Sequence, residues 1–193
     1  IKWDQFDETV EDPTDECLYA GLNMFKTGNF DCIIGLGGGS PMDLAKAISA
    51  MSVNKGHVRD YKAPLSVDRS GVPIILVPTT GGTGSELTKW CVITDTKLTE
   101  KYNLSGPAFV ATAALIDWHF TVTKPKRITA DTALDSLTHA IEAYVGRRAF
   151  DYADTLALSA MPLISKNVRK AFNDPDNPKA REALMLAASK AGM

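Results

Sequence analysis

The chain has 193 residues, 45% of them hydrophobic and 23% charged, with a formal net charge of −2. This is the composition of an ordinary globular protein with a real core, and the length suffices for one large domain or about one and a half smaller ones. Lys and Arg are spread along the chain, which argues against a nucleic-acid footprint or an anionic membrane surface as partner, and no apolar run approaches the length that spans a bilayer. The first residue is Ile, so the absence of a signal peptide carries no weight. Cys17, Cys32 and Cys91 are far apart, odd in number and set in apolar neighbourhoods. They are expected to be buried free thiols in a reducing, cytoplasmic setting, not a disulfide framework or a zinc cluster.

In chain order, Asp12 as N-cap, Pro13 at the first helical position and Leu18, Leu22 and Phe25 at helical spacing predict a helix that Gly28 ends. Residues 32–36 form a short apolar run that predicts a strand buried on both faces of a parallel sheet. Gly37, Gly38 and Gly39 follow, and a helix opens with Ser40 as N-cap, Pro41 next and Asp43 three past the cap. Residues 53–71 read as a surface connection, residues 73–77 as a second buried strand running into a small-residue loop, and residues 88–95 and 113–117 as further strands. Beyond Asp117 the strand signals stop. Thr129 caps a long amphipathic helix reaching about Gly146, and residues 154–170 and 178–190 predict two more helices. The shift from alternating strand and helix to helix alone places a boundary near residues 120–128, giving an α/β domain over 1–124 and a helical domain over 125–193.

A glycine-rich turn between a buried strand and a helix lets the backbone approach a pyrophosphate, with the N–H groups of the helix start pointing at it. The triplet is neither a Rossmann fingerprint, since Ser40 stands where the last glycine would, nor a Walker loop. Taken alone it fits equally well a tight turn that merely needs positive φ. The second loop, Pro78-Thr79-Thr80-Gly81-Gly82-Thr83-Gly84-Ser85-Glu86, packs hydroxyls and glycines after another strand and has few apolar anchors, as a loop filled by phosphate and ribose oxygens would. Asp135 and His139 lie one turn apart on one helix face that Glu142 continues. A carboxylate and an imidazole so placed can chelate a divalent metal, although two ligands are fewer than a catalytic site uses and a surface hydrogen-bonded pair is the commoner meaning of such spacing. His57 and His119 have no partner at metal-ligand spacing and read as structural.

The three blocks together, Gly37-Gly38-Gly39-Ser40-Pro41-x-Asp43, the 78–86 loop, and Asp135-x-x-x-His139-Ala140-Ile141-Glu142-Ala143-Tyr144, resemble in order and spacing the iron-containing (group III) alcohol dehydrogenase family over nearly the whole chain. The resemblance implies an α/β fold. A Rossmann-like dinucleotide-binding domain with a parallel sheet would precede an all-helical metal-binding domain, both incomplete here. It implies pyrophosphate binding by Gly38, Gly39 and Ser40 with Asp43 close by, and cofactor lining by Thr79, Thr80, Gly82 and Thr83. Lys101 would lie near the ribose and Phe120 beside the adenine, while Asp135 and His139 would be two of four metal ligands. The implied cofactors are NAD or NADP and Fe²⁺ or Zn²⁺; the implied reaction is reversible hydride transfer between an alcohol and the nicotinamide, in a homo-oligomer, dimer or larger, acting on a small molecule.

The sequence departs from the family pattern where Asp117-Trp118 replaces Asp-Pro, where Lys124-Pro125 replaces Leu-Pro, and near Ala111, where a proline is usual. Members of the family are much longer. Two further histidine ligands are expected after Met193 and a first strand before Ile1, so the 193-residue chain alone is expected to be inactive. Two other readings compete: an NAD-dependent lyase of the dehydroquinate-synthase kind, which net NADH production from a simple alcohol would exclude, and a non-catalytic dinucleotide-binding module, which fits only a chain that ends at 193.

Overall fold

The computed structural model describes residues 1–193. The chain forms two compact units, one of residues 1–76 and 88–114, the other of residues 77–87 and 115–193. The glycine loop after the second strand thus belongs with the helical half, a grouping that one cut at 124/125 would not give.

In the first unit, α1 (Asp15–Gly28) buries Leu18 and Leu22 as the spacing predicts. Its cap is Thr14, whose hydroxyl accepts from the Cys17 N–H at 3.1 Å. Asp12 does not cap, because it sits at φ +53° two residues too early. Strand β1 (Ile33–Gly37) leads into α2 (Gly39–Val53), which is buried continuously from Met42 to Met51. Its N-cap position is Gly38, so Ser40 and Pro41 lie inside the first turn. Strand β1 is not buried on both faces. Gly35 packs on Met42, Ala45 and Leu76, but Ile34 and Leu36 are 66% and 54% exposed, because no element of this chain covers their face. Strand β2 (Ile74–Pro78) stands between β1 and the short β5 (Ala113–Ala114), pairing in parallel with β5 through Ile75↔Ala113. The expected strand over 113–117 is therefore cut to its first two residues.

The remaining strands, β3 (Trp90–Asp95) and β4 (Glu100–Ser105), form an antiparallel hairpin. Two residues of α2, Lys46 and Asp43, help fasten it to the rest of the unit. Lys46 is completely buried and donates to the Trp90 carbonyl at 2.8 Å and the Thr88 hydroxyl at 3.2 Å, while Asp43, 3.7 Å away, accepts from the Val92 N–H at 3.0 Å. Removing the lysine takes a charged donor away from the Trp90 carbonyl and a cation from beside the Asp43 carboxylate, both inside the unit. Lys46→Met is therefore expected to lower unfolding stability of the full-length protein by about 3 kcal/mol, read as a shift of the urea midpoint at unchanged slope.

Of the thiols only Cys91 is fully buried. Burial, with Asp43 nearby, pushes it well above the usual thiol range. Cys17 is half-buried and Cys32 exposed, so the expectation of three buried thiols holds for one.

The second unit stacks α3 (Lys126–Val145), α4 (Asp151–Asn173) and α5 (Pro178–Gly192). Its core is built mainly from alanines, Ala133 and Ala140 of α3 against Ala157 and Ala160 of α4 and Ala180 and Ala187 of α5, with Ile164 and Leu184 as the larger members. Helix α3 starts a turn earlier than expected, with Pro125 at its cap. Thr129 is buried inside the helix, its hydroxyl donating back to the Pro125 carbonyl at 3.2 Å. No helix is long and apolar enough to cross a membrane.

Candidate functional site

Of the three consecutive glycines at the end of β1, two have no conformational reason to be glycine. Gly37 has φ +144°, a value that L side chains avoid. Gly38 has φ −78°, and Gly39 is the first residue of α2 with no positive φ. The first hydrogen bond of the helix runs from the Met42 N–H to the Gly38 carbonyl at 3.4 Å, and Pro41 has no N–H. The N–H groups of Gly39 and Ser40 therefore lie outside the helical ladder, at the positive end of the helix dipole. A backbone stripped of side chains at that point suits an anionic group coming close.

Asp12, which sequence reasoning took only for a cap, links two of the expected site residues. Its N–H donates to the Ser40 hydroxyl at 3.3 Å and its carboxylate pairs with Lys101 of β4 at 2.5 Å, both side chains being exposed. The side chain of Asp43 is committed to Val92 and Lys46, as described above.

In the second unit, residues 78–86 are fastened to helices rather than hanging free. A Cβ on Gly82 would meet the Thr132 Cβ at 2.6 Å, and the Gly82 carbonyl accepts from the Ser136 hydroxyl at 2.8 Å. Gly84, at φ +64°, lies against Gly192, where a Cβ on it would meet the Gly192 Cα at 2.8 Å. Glu86, 2% exposed, accepts from the Ser189 hydroxyl at 2.8 Å. The Thr83 hydroxyl accepts from the Ser85 N–H at 3.2 Å, and the Thr80 hydroxyl oxygen is buried without a hydrogen-bond partner. The Thr80 carbonyl accepts from Lys124 and, at 3.2 Å, from the Thr132 hydroxyl. Lys124 and Arg181, with a small cavity between them, were not foreseen as part of this arrangement. The only sequence sign of Lys124 was its departure from the family's Leu-Pro. Phe120 lies in a short 3₁₀ turn (Trp118–Thr121), 47% exposed.

On α3 the Asp135 carboxylate and the His139 Nε2 are 3.6 Å apart, with side chains 44% and 36% exposed. Donors bound tetrahedrally at about 2.1 Å from one divalent ion lie about 3.4 Å from each other, close to the separation of this pair. No group of three or more His, Cys, Asp or Glu side chains in this chain is arranged to hold a metal, so these two donors form half a shell at most. His119 pairs instead with Asp117, at 2.6 Å, which holds the Asp117 carboxyl below its usual range through the His119 N–H and ring. His57 lies 3.7 Å from Asp15 and caps the 3₁₀ turn Val58–Tyr61.

The profile of the family described as "Iron-containing alcohol dehydrogenase" matches residues 1–118, and that of "Fe-containing alcohol dehydrogenase family, C-terminal" matches residues 129–193. An NAD-dependent methanol dehydrogenase of Bacillus methanolicus is 38% identical over 188 residues, covering 97% of this chain and 49% of that protein. The crystal structure of a 1,3-propanediol oxidoreductase superposes with a TM-score of 0.93 at 34% identity, covering 97% of this chain and 49% of that one. A sulfoacetaldehyde reductase from Bifidobacterium kashiwanohense, crystallised with NAD⁺, superposes with a TM-score of 0.92 at 31% identity, covering 97% of this chain and 50% of the other. The chain thus spans about half the length of the relatives it matches. With matched profiles over both of its parts, the chain belongs to the iron-containing alcohol dehydrogenase family.

Proposed function

We propose that the whole protein is a metal-dependent NAD(P)-linked alcohol dehydrogenase that interconverts a small alcohol and its aldehyde or ketone. The observation that carries this reading is the Asp135–His139 pair, two metal donors at chelating distance on one helix of a chain whose family is settled by sequence. Gly38, Gly39 and Ser40 are read as the pyrophosphate cradle, with Asp43 holding the helix start through Val92 and Lys101 reaching the ribose. Thr79, Thr80, Gly82 and Thr83 line the cofactor further along, and Phe120 lies beside the adenine. Division at 124/125 into a dinucleotide domain and a metal domain belongs to the same reading, as do a homo-oligomeric state and a cytoplasmic setting.

The chain's own residues have limited and definite tasks. The N–H groups of Gly39 and Ser40 donate to the anion and hold it without a bulky neighbour. Asp135 and His139 present an anionic oxygen and a neutral nitrogen to a hard or borderline divalent ion, Fe²⁺ or Zn²⁺. When bound, that ion supplies Lewis acidity toward the substrate oxygen, and the nicotinamide supplies the hydride acceptor or donor. The test is full-length protein loaded with Fe²⁺ or Zn²⁺ and mixed with NAD⁺ and a simple primary alcohol. Net growth of NADH absorbance is expected; its absence across a series of short alcohols and diols, with metal and NAD⁺ both shown to bind, would remove the dehydrogenase reading.

A further inference from the structure

We propose that Lys124 is the positioning residue of the second glycine loop: by joining the Thr80 carbonyl to the Thr132 hydroxyl, it fixes the backbone of residues 79–83 on α3. The inference rests on the reading of that loop as cofactor-lining.

Lys124 directly precedes Pro125, the cap of α3, so its backbone is held at the helix entrance. Its side chain runs over the first turns of the helix and donates to the Thr80 carbonyl and, at 2.9 Å, to the Thr132 hydroxyl. That hydroxyl has a single hydrogen and two acceptors, the Ile128 carbonyl at 2.8 Å and the Thr80 carbonyl at 3.2 Å. The nearer acceptor takes it, which leaves the Thr80 carbonyl dependent on Lys124. The next contacts along the loop are the Gly82 approach to Thr132 and the Ser136 hydrogen bond to the Gly82 carbonyl. Residues 80–82 are therefore laid on one face of α3, and Lys124 supplies a charge-assisted fastening there.

The placement is unfavourable for a cation by itself. Lys124 lines a cavity of about 10 Å³, room for one water at most, together with Thr80, Thr121, Arg181, Leu184 and Met185. The only other charge in that lining is Arg181 of α5, whose guanidinium is spent on the carbonyls of Pro175 and Thr121. Burial, and then the charge of Arg181, push Lys124 down to about 8. An apolar side chain of equal length would fill the same space without that penalty, so packing does not account for an amine here.

Two opposite pH trends follow. A lysine whose folded value lies below its unfolded one penalises folding while charged, so this penalty is relieved as pH rises from about 8 toward the unfolded value. Over the same range the neutral amine still donates but loses charge assistance, and the loop is held less firmly.

The test uses the full-length protein, with NADH titrated by fluorescence at about pH 7 and about pH 9, beside thermal unfolding and metal analysis, for wild type and Lys124→Met. At the lower pH the variant is expected to bind NADH about tenfold more weakly, with Tm equal or higher and metal content unchanged. Wild-type affinity is expected to fall several-fold toward the higher pH, and the variant's to stay level. A variant that binds NADH like wild type at both pH values, or one that loses Tm while keeping its affinity, would overturn the proposal. Should the variant fail to fold, wild-type affinity that stays level between the two pH values would overturn it equally. Wild type that binds no NADH at all would overturn the cofactor reading of the loop along with it.

Discussion

In the full-length protein, replacing both Asp135 and His139 by alanine is expected to empty the metal site and to lower turnover by about three orders of magnitude or more. The two side chains are 44% and 36% exposed, so truncating them leaves no buried group unpaired and the fold should keep its Tm within a few degrees. Their loss takes away two donors from a shell that no third side chain of this chain can complete. The rate should fall because nothing then polarises the substrate oxygen, a contribution of several kcal/mol, each 1.4 kcal/mol being about tenfold in rate. The pyrophosphate donors proposed at Gly39 and Ser40 lie in the other compact unit, and the second loop is fastened to α3 through Thr132 and Ser136 rather than through Asp135 or His139, so NADH affinity should change by no more than about threefold. Metal analysis, cofactor titration and initial rates on one variant separate these effects. A variant that keeps both its metal and its rate would reduce Asp135 and His139 to an ion pair on a helix surface.

Much of this arrangement is legible in the sequence because it is local. Strand, glycine turn and helix follow one another within residues 33–53, and Asp135 and His139 share a face by helical spacing alone. What was not legible depends on partners distant along the chain. Thr14 and Asp12 are both acceptable caps, and the choice falls on Thr14 because the backbone at Asp12 turns to positive φ, where its carboxylate meets Lys101, 89 residues away. Strand β4 carries no turn signal in the sequence although Tyr102 and Leu104 alternate inward, because its turn has Thr99 at φ +52° where glycine or asparagine would mark it. Lys46, Lys124 and Arg181 carry the general signature of solvated residues, and only the fold shows that each donates to a main-chain carbonyl and a threonine hydroxyl. The exposure of Ile34 and Leu36 was equally out of reach, since an apolar strand does not say how many of its faces the same chain covers.

Gly39→Val is expected to give the reverse pattern, with metal retained and cofactor lost. Gly39 occupies the first position of α2 with no positive φ, so valine fits the backbone there. A β-branched residue at a helix start costs less than about 1 kcal/mol, and thermal unfolding should move by only a few degrees. The effect on binding should be far larger. The N–H groups of Gly39 and Ser40 are the donors left at the helix start once Met42 has bonded to Gly38 and Pro41 has none to give. A valine side chain beside them would keep a pyrophosphate from closing to hydrogen-bond distance, and losing two charge-assisted bonds weakens NADH binding by about a hundredfold or more. Gly39→Ala, with one methyl group, should fall between valine and wild type, since the obstruction grows with side-chain volume. The measurements are NADH fluorescence titration, unfolding temperature and metal content on the full-length protein. Affinity that stays at the wild-type level in the valine variant would take this turn out of the cofactor site, and the glycines at 38 and 39 would then need another explanation.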